Sequence, residues 1–330
     1  MPGGSAETES TSEEADTETT NGTAEPDPTE VTLRRSQLAT PGSDAEMIAR
    51  APDSGADEAF LDLEDSVAPS EKIDARENVI EGLIEYDWSD TRPCYRMNGV
   101  DTRWFYDDVI EVVGQAGEHL DTIMVPMANN PETVATVDNL LTQVERNTGL
   151  PIGEIGLQAQ IESPEAMTKV ADIARASDRL ESLVFGPGDY TANVGAAGLT
   201  IGSGGGYPGH YWHYQLARIA HAAKAQGLQV IDGPYAEIED TEGFRDSCRW
   251  ASQLGCDGKW AIHPSQIGPA NETFAPSREE AEKAERIVEA YAEAKAEGRG
   301  AVSVDGEMVD EATDKMARGI VARAERAGVL

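Results

Sequence analysis

The run GLQAQIESPEAMTKVADIARASDRLESLVFGPGD (156–189) decides the architecture. It opens on an apolar segment, Gly156–Ile161, of strand length. Ser163 then offers a helix cap, Pro164 suits the first helical turn, and 164–177 reads as an amphipathic helix. A second apolar segment follows at Ser182–Phe185 and stops at the turn GPGD. Strand, helix, strand with no hairpin between them is a parallel crossover, so both strands end at the same edge of their sheet. That edge carries Glu162 after the first strand and Asp189 after the second.

Working outward, the alternation continues in both directions. Strands are expected at Ser36–Thr40, Ala59–Leu63, Cys94–Met97, Thr122–Val125, Gln229–Ile231 and Gly258–Ile262. Amphipathic stretches lie between them at 43–54, 70–85, 102–118, 131–147, 211–226 and 241–254. Ser43, Ser70, Asn130 and Asp240 offer further caps. Eight strands interleaved with helices fit one closed α/β fold, a (β/α)8 TIM barrel over 31–275. A doubly wound open sheet is the alternative, but it does not require eight units.

Residues 276–330 lie beyond the eighth strand and form a C-terminal helical extension. It comprises a helix over 278–298, a glycine-containing segment over Gly298–Gly306, and a last helix from 308 to 328. An appendage of this length can lie over its own barrel mouth or a neighbour's.

Nine of the 61 acidic residues fall in 1–30, which hold no Lys or Arg and almost no large apolar side chains. That segment is expected to be a disordered acidic tail. The body still sets 52 acids against 26 bases, 19 Arg and 7 Lys, within a net charge of −35. Such a surface repels nucleic acid and anionic membranes. The spread of the excess along the chain suits a high-salt cytoplasm, where screening tolerates self-repulsion. No apolar run reaches membrane length and no basic-then-apolar leader opens the chain. Three unpatterned cysteines, Cys94, Cys248 and Cys256, suit a reduced cytoplasmic setting.

In a barrel the active site gathers at the C-terminal strand ends. Those positions read Thr40–Pro41–Gly42, Glu64–Asp65, Arg96 with Asn98, Pro126, Glu162, Asp189, Asp232 and His263–Pro264. One polar residue there is commonly a cap or a solvated loop. Several carboxylates converging with one arginine form a constellation. Glu162 and Asp189, on adjacent strands, can share a hard cation such as Mg2+, with water and substrate oxygens completing the shell. His263 has no companions at zinc spacing and reads as a loop-ordering residue. Arg96 is either paired or aimed at an anionic ligand, and Glu64 and Asp65 could hold it or the metal's waters. Asp62 should face away from Leu61 and Leu63 by strand alternation. The GPGD turn, with Gly188, offers backbone N–H groups to a small carboxylate. GSGGG (202–206) lacks the Lys-Ser/Thr of a phosphate loop and reads as a mobile loop, while HYWHY (210–214) reads as a helix start packing aromatics.

The segments RRSQLATPG (34–42), FLDLEDSVAPSEKIDAR (60–76), YRMN (95–98), IES (161–163), FGPGDY (185–190), GCDGKWAIHPSQI (255–267) and VSVDGEMVDEAT (302–313) together resemble the citrate lyase β-subunit-like (HpcH/HpaI aldolase) family. The last two runs and the acidity resemble its haloarchaeal malyl-CoA/β-methylmalyl-CoA lyases. The resemblance implies Mg2+, or Mn2+ in its place, on Glu162 and Asp189, and Arg96 on the thioester or enolate oxygen. It implies Asp310 as the acid/base, supplied from a neighbouring subunit of a trimer or hexamer. It places Arg35, Lys72 and Arg76 near the CoA phosphates, and Ile262 with Gly188 against the substrate. One departure stands out: the family's fourth strand ends in Pro-Lys, and here Met127 follows Pro126.

The expected chemistry is retro-aldol cleavage of malyl-CoA, or β-methylmalyl-CoA, to glyoxylate and acetyl-CoA or propionyl-CoA. The alternatives are malate synthase or malyl-CoA thioesterase activity, citramalyl-CoA cleavage, or a non-catalytic CoA-thioester-binding subunit.

Overall fold

A computed structural model describes residues 32–196 and 212–330, so the acidic segment 1–30 and the glycine run 202–206 lie outside the described residues. Eight parallel strands close into a barrel in chain order: β1 (Ser36–Pro41), β2 (Glu58–Asp62), β3 (Arg92–Arg96), β4 (Thr122–Val125), β5 (Gly156–Ile161), β6 (Leu180–Phe185), β7 (Gln229–Asp232) and β8 (Gly258–Ala261). The seam closes by pairing Ser36 with Lys259, Gln37 with Trp260 and Leu38 with Ala261. A Cβ on Gly258 would stand 2.8 Å from the Arg34 carbonyl carbon, so the closing strand must begin with glycine.

The helices that cover this barrel are α1 (Ala45–Arg50), α2 (Lys72–Glu85), α3 (Phe105–Ala116), α4 (Pro131–Thr148), α5 (Pro164–Ile173), α6 (Pro187–Val194), α7 (His213–Lys224), α8 (Thr241–Gln253) and α9 (Ile267–Phe274). Asn130, Ser163 and Asp240 cap α4, α5 and α8 as their sequence positions suggest. Ser43 and Ser70 do not cap. A turn from Asp44 N to the Pro41 carbonyl makes Asp44 the cap of α1, and one from Glu71 N to the Ala68 carbonyl delays α2 to Lys72.

Strand alternation sorts the interior into two layers. Leu61, Leu63, Tyr95, Ile123, Val125, Leu157 and Ile161 point outward and join the helices in the main core. A second buried cluster, Phe60, Cys94, Met124, Val184, Ile231 and Trp260, draws on six strands and no helix, so it fills the lumen. Below it, toward the strand starts, Gln37, Glu58, Gln158 and Ser182 form a hydrogen-bonded layer, and Arg34 is tied to Glu58 and Glu181 at 2.6 Å. The lumen is plugged at its N-terminal end, which leaves chemistry to the other.

Beyond the barrel, α10 (Arg278–Ala296) packs on α11 (Glu311–Arg326) through a small core of its own, including Ala284, Ile287, Tyr291, Val309 and Ala317. The glycine-containing segment expected between the two helices holds a hairpin, β9 (Val302–Val304) with β10 (Glu307–Val309). It turns on Asp305 and Gly306, both at positive φ, the pairing an Asp-Gly hairpin turn demands. The last helix therefore starts at Glu311 with Asp310 as its cap, not at 308.

Candidate active site

Arg96 ends β3 and is buried. Its Nε and Nη2 each donate to a carboxylate oxygen of Asp62 at 2.7 Å. Asp62 ends β2, faces the lumen as its alternation with Leu61 and Leu63 requires, and is 2% exposed, so the fork-on-fork pair fixes the guanidinium plane. Burial alone would raise the Asp62 pKa, but the charge and hydrogen bonds of Arg96 outweigh it and hold the carboxyl low. This partner is the main residue that sequence reasoning missed. The signal was present: in a closed barrel, the face opposite Leu61 and Leu63 is the lumen.

With two nitrogens held by Asp62, Nη1 of Arg96 meets the mouth. It stands 2.9 Å from Glu64 Oε2, 3.8 Å from Asp65 Oδ2 and 3.5 Å from the side-chain oxygen of Gln160. Gln160 in turn donates to Glu162 Oε2, and Met127 N donates to Glu162 Oε1 at 2.6 Å. To aim that N–H, Met127 takes φ 46°, a left-handed conformation rare for a side-chain-bearing residue. The donor is a backbone group, so it does not depend on the methionine that stands here in place of the lysine the resemblance expects. Gly186 caps α6 against the same carboxylate, and a Cβ there would fall 2.6 Å from Glu162 Cβ.

Asp189 lies exposed in the first turn of α6, a helix that sequence patterning showed only as a turn. As in any helix start, backbone N–H groups of this first turn, Gly188's among them, have no acceptor within the helix. Ile262 follows β8 and is half-buried, its N–H held by Gln266 at 2.8 Å.

The carboxylates disfavour their own charge. Burial raises Glu162 to about 8, against its Met127 hydrogen bond, with Glu64 and Asp189 pushing the same way. Burial also raises Glu64 to about 7, only partly relieved by Arg96 and worsened by Asp65, Asp62 and Asp189. Asp189 is raised by burial and by Asp65. Glu64 Oε2 is buried and pairs with Arg96 by charge rather than through an aligned hydrogen bond. Among the described residues no three His, Cys, Asp or Glu side chains group tightly enough to hold an ion. The oxygen donors of Glu162 and Asp189 are of the kind that suits a hard divalent cation whose shell water and substrate oxygens would complete.

Other expected participants stand elsewhere. Arg35 precedes β1, at the plugged end, and is clamped by Asp57 at 2.7 and 2.8 Å. Lys72 is buried and donates to the Leu63 and Glu64 carbonyls, and Arg76 is paired with Asp108 and Glu111. All three cations thus have protein partners, Lys72 and Arg76 on the inner face of α2 and Arg35 just before β1. Asp232 points outward and is neutralised by Lys259, so it does not join the mouth. His263 caps its own turn through Ser265, as a loop-ordering residue does. Trp212 packs edge-on against Phe185 and Tyr190, while His210 lies outside the described residues. Asp310 is exposed and caps α11 through Thr313, whose hydrogen bonds hold its pKa low. The next residue, Glu311, lines a cleft with Arg34 and Gln229 at the plugged end. Within one chain Asp310 is therefore remote from Arg96.

A family model described as HpcH/HpaI aldolase/citrate lyase matches residues 35–264. The L-malyl-CoA/beta-methylmalyl-CoA lyase of Cereibacter sphaeroides (strain ATCC 17025 / ATH 2.4.3) is 39% identical over 303 residues, 88% of this chain and 94% of that protein. CitE from Mycobacterium tuberculosis, in complex with magnesium, acetoacetate and coenzyme A, has a TM-score of 0.69 at 28% identity, covering 88% of this chain and 97% of that one. Haloferax volcanii malate synthase, in its pyruvate/acetyl-CoA ternary complex, gives 0.68 at 25% identity, covering 88% and 90%.

Proposed function

Because the chain belongs to the HpcH/HpaI aldolase/citrate lyase family, we propose that this CoA-thioester lyase cleaves malyl-CoA and β-methylmalyl-CoA, releasing glyoxylate. The observation that carries the reading is Arg96, locked by Asp62 beside the Glu64, Asp65, Glu162 and Asp189 carboxylates at the barrel mouth. A divalent cation on Glu162 and Asp189, Mg2+ by preference, would supply Lewis-acid polarisation of the substrate's hydroxyl and carboxylate oxygens.

The protein's own groups do the rest. Arg96 presents Nη1 to the thioester oxygen, where negative charge grows as the carbon–carbon bond breaks. A preorganised donor of this kind is worth roughly 3 kcal/mol. Asp62 prevents that guanidinium from rotating. Glu64 and Asp65 line the opening, and the α6 N-terminus at Gly188 favours the substrate's carboxylate. Asp310 of a neighbouring subunit is assigned the proton at the nascent carbanion carbon. In its own chain it is ionised, as a base for the condensation direction must be. The acid role in cleavage needs the higher pKa that burial in a neighbour's mouth would give it.

The deciding assay supplies malyl-CoA and Mg2+ in concentrated KCl and follows glyoxylate and free CoA separately. Glyoxylate with intact acetyl-CoA is expected, and EDTA should abolish it. The likeness to a malate synthase favours a second reading, thioester hydrolysis on the same site. Stoichiometric free CoA with malate, formed from acetyl-CoA and glyoxylate, would replace the lyase reading by that one.

A further inference from the structure

Lys72 and Arg76 stand four residues apart on α2, hence on one helix face, and both are buried. Lys72 Nζ donates to the carbonyl oxygens of Leu63 and Glu64 at 2.7 and 2.6 Å and lies 5.3 Å from the centre of the Trp104 ring. Arg76 donates from Nε and Nη2 to Asp108 Oδ1 at 2.9 and 2.8 Å. Asp108 Oδ2 accepts from the backbone and side-chain nitrogens of Asn98 at 3.0 and 2.6 Å. One cation therefore grips the segment leaving β2, and the other grips the segment leaving β3. Between them stands the Arg96–Asp62–Glu64 cluster.

We propose that Lys72 is a positioning residue that sets the Glu64 segment against Arg96, rather than a ligand of the coenzyme's phosphates. An ammonium has three donors. Two are committed to adjacent carbonyls, and the residue is 5% exposed with the Trp104 ring beside the cation, so swinging out to a phosphate would release the loop that carries Glu64 and Asp65. A shift of about 1 Å in such a group can cost about a hundredfold in rate. The inference rests on the CoA-thioester reading only for its kinetic readout.

The test uses the full-length protein with Lys72→Met, which keeps the apolar stem and removes the donors. The expected result is a loss in kcat of about 10- to 100-fold, with KM and the calorimetric Kd for free CoA within about threefold of the parent. Hydrogen exchange at the amides of residues 63–67 should accelerate at least about tenfold while the barrel strands stay protected. Retained kcat with a tenfold weaker KM and CoA Kd would overturn the assignment. So would unchanged exchange at 63–67, a readout that stands even if the parent does not cleave malyl-CoA. Should the Met variant fail to fold, Lys72→Arg decides. It keeps a cation for a phosphate but cannot place one nitrogen between both carbonyls, so kcat should still fall. Parental kcat in Lys72→Arg would remove the positioning role.

Discussion

Two residues show how burial sets the site's chemistry. Glu162 is raised from 4.5 to about 8 by burial and by neighbouring carboxylates, so the metal-free protein at neutral pH holds it mostly protonated. The sign follows: in the metal-free protein Glu162's own contribution to stability is fully present below about 4.5 and is lost as pH rises through about 8. A cation must displace that proton. Divalent-ion binding at pH 7 should therefore release about one proton per ion, and affinity should climb with pH and level off above about 8. Calorimetry in two buffers of different ionisation enthalpy measures the release. Identical heats in both would mean Glu162 is already ionised or is no ligand. Asp62 makes the opposite case. Its carboxylate is stabilised in the fold, and Asp62→Ala would leave Nε and Nη2 of the buried Arg96 without their partner, with only Glu64 and Asp65 left near Nη1. A loss of about 3–5 kcal/mol is expected from urea unfolding in high KCl. A loss below about 1 kcal/mol would mean that the pair is weak or that water replaces it.

At the scale of elements, the sequence was legible wherever a period survives. The eight strands follow their apolar runs, and Glu64, Asp65, Arg96, Glu162 and Asp189 reach one mouth because strand direction alone dictates it. What escaped were features set by contacts between elements. The α6 helix hides behind Gly186 and Pro187, which read as a turn until Glu162 packs against them. The β9–β10 hairpin has strands of only three residues, too short for a period to register, so only its Asp305-Gly306 turn announced it. The basic face of α2 reads as a phosphate surface, because a sequence cannot say which carbonyls a lysine will meet. The extension has its own small core and leaves Asp310 exposed and remote from its own barrel's mouth. If neighbours complete each other, then Glu162→Gln and Asp310→Asn subunits, each inactive alone, should regain activity when refolded together. Random closed assembly leaves about a quarter of the sites intact, so about a quarter of parental kcat is expected. Mixed oligomers that stay at background would show that Asp310 serves no neighbour.

For the molecule as a whole, charge is the constraint that the fold does not remove. At the mouth one cation, Arg96, faces the carboxylates of Asp62, Glu64 and Asp65, and helix surfaces repeat like charges at the spacing where they repel. Glu77, Glu81 and Glu85 step by four along exposed α2, and Glu285, Glu289 and Glu293 do so along α10. With a net charge of −35, these local repulsions add to a long-range one. The Debye length shrinks from about 10 Å at 0.1 M to about 3 Å at 1 M salt, which confines each charge to its nearest neighbours. The melting temperature should therefore rise by roughly 10 °C between about 0.1 M and about 2 M KCl, the equivalent of about 3 kcal/mol for a domain of this size. The shape of the curve identifies the cause. Screening exhausts itself once the Debye length falls below the charge spacing, so the rise should flatten near about 1 M. Strengthened apolar burial would keep climbing with salt and would be larger in sulfate than in chloride at equal ionic strength. A flat response from the lowest salt upward would mean that the acidic surface is no adaptation to screening at all.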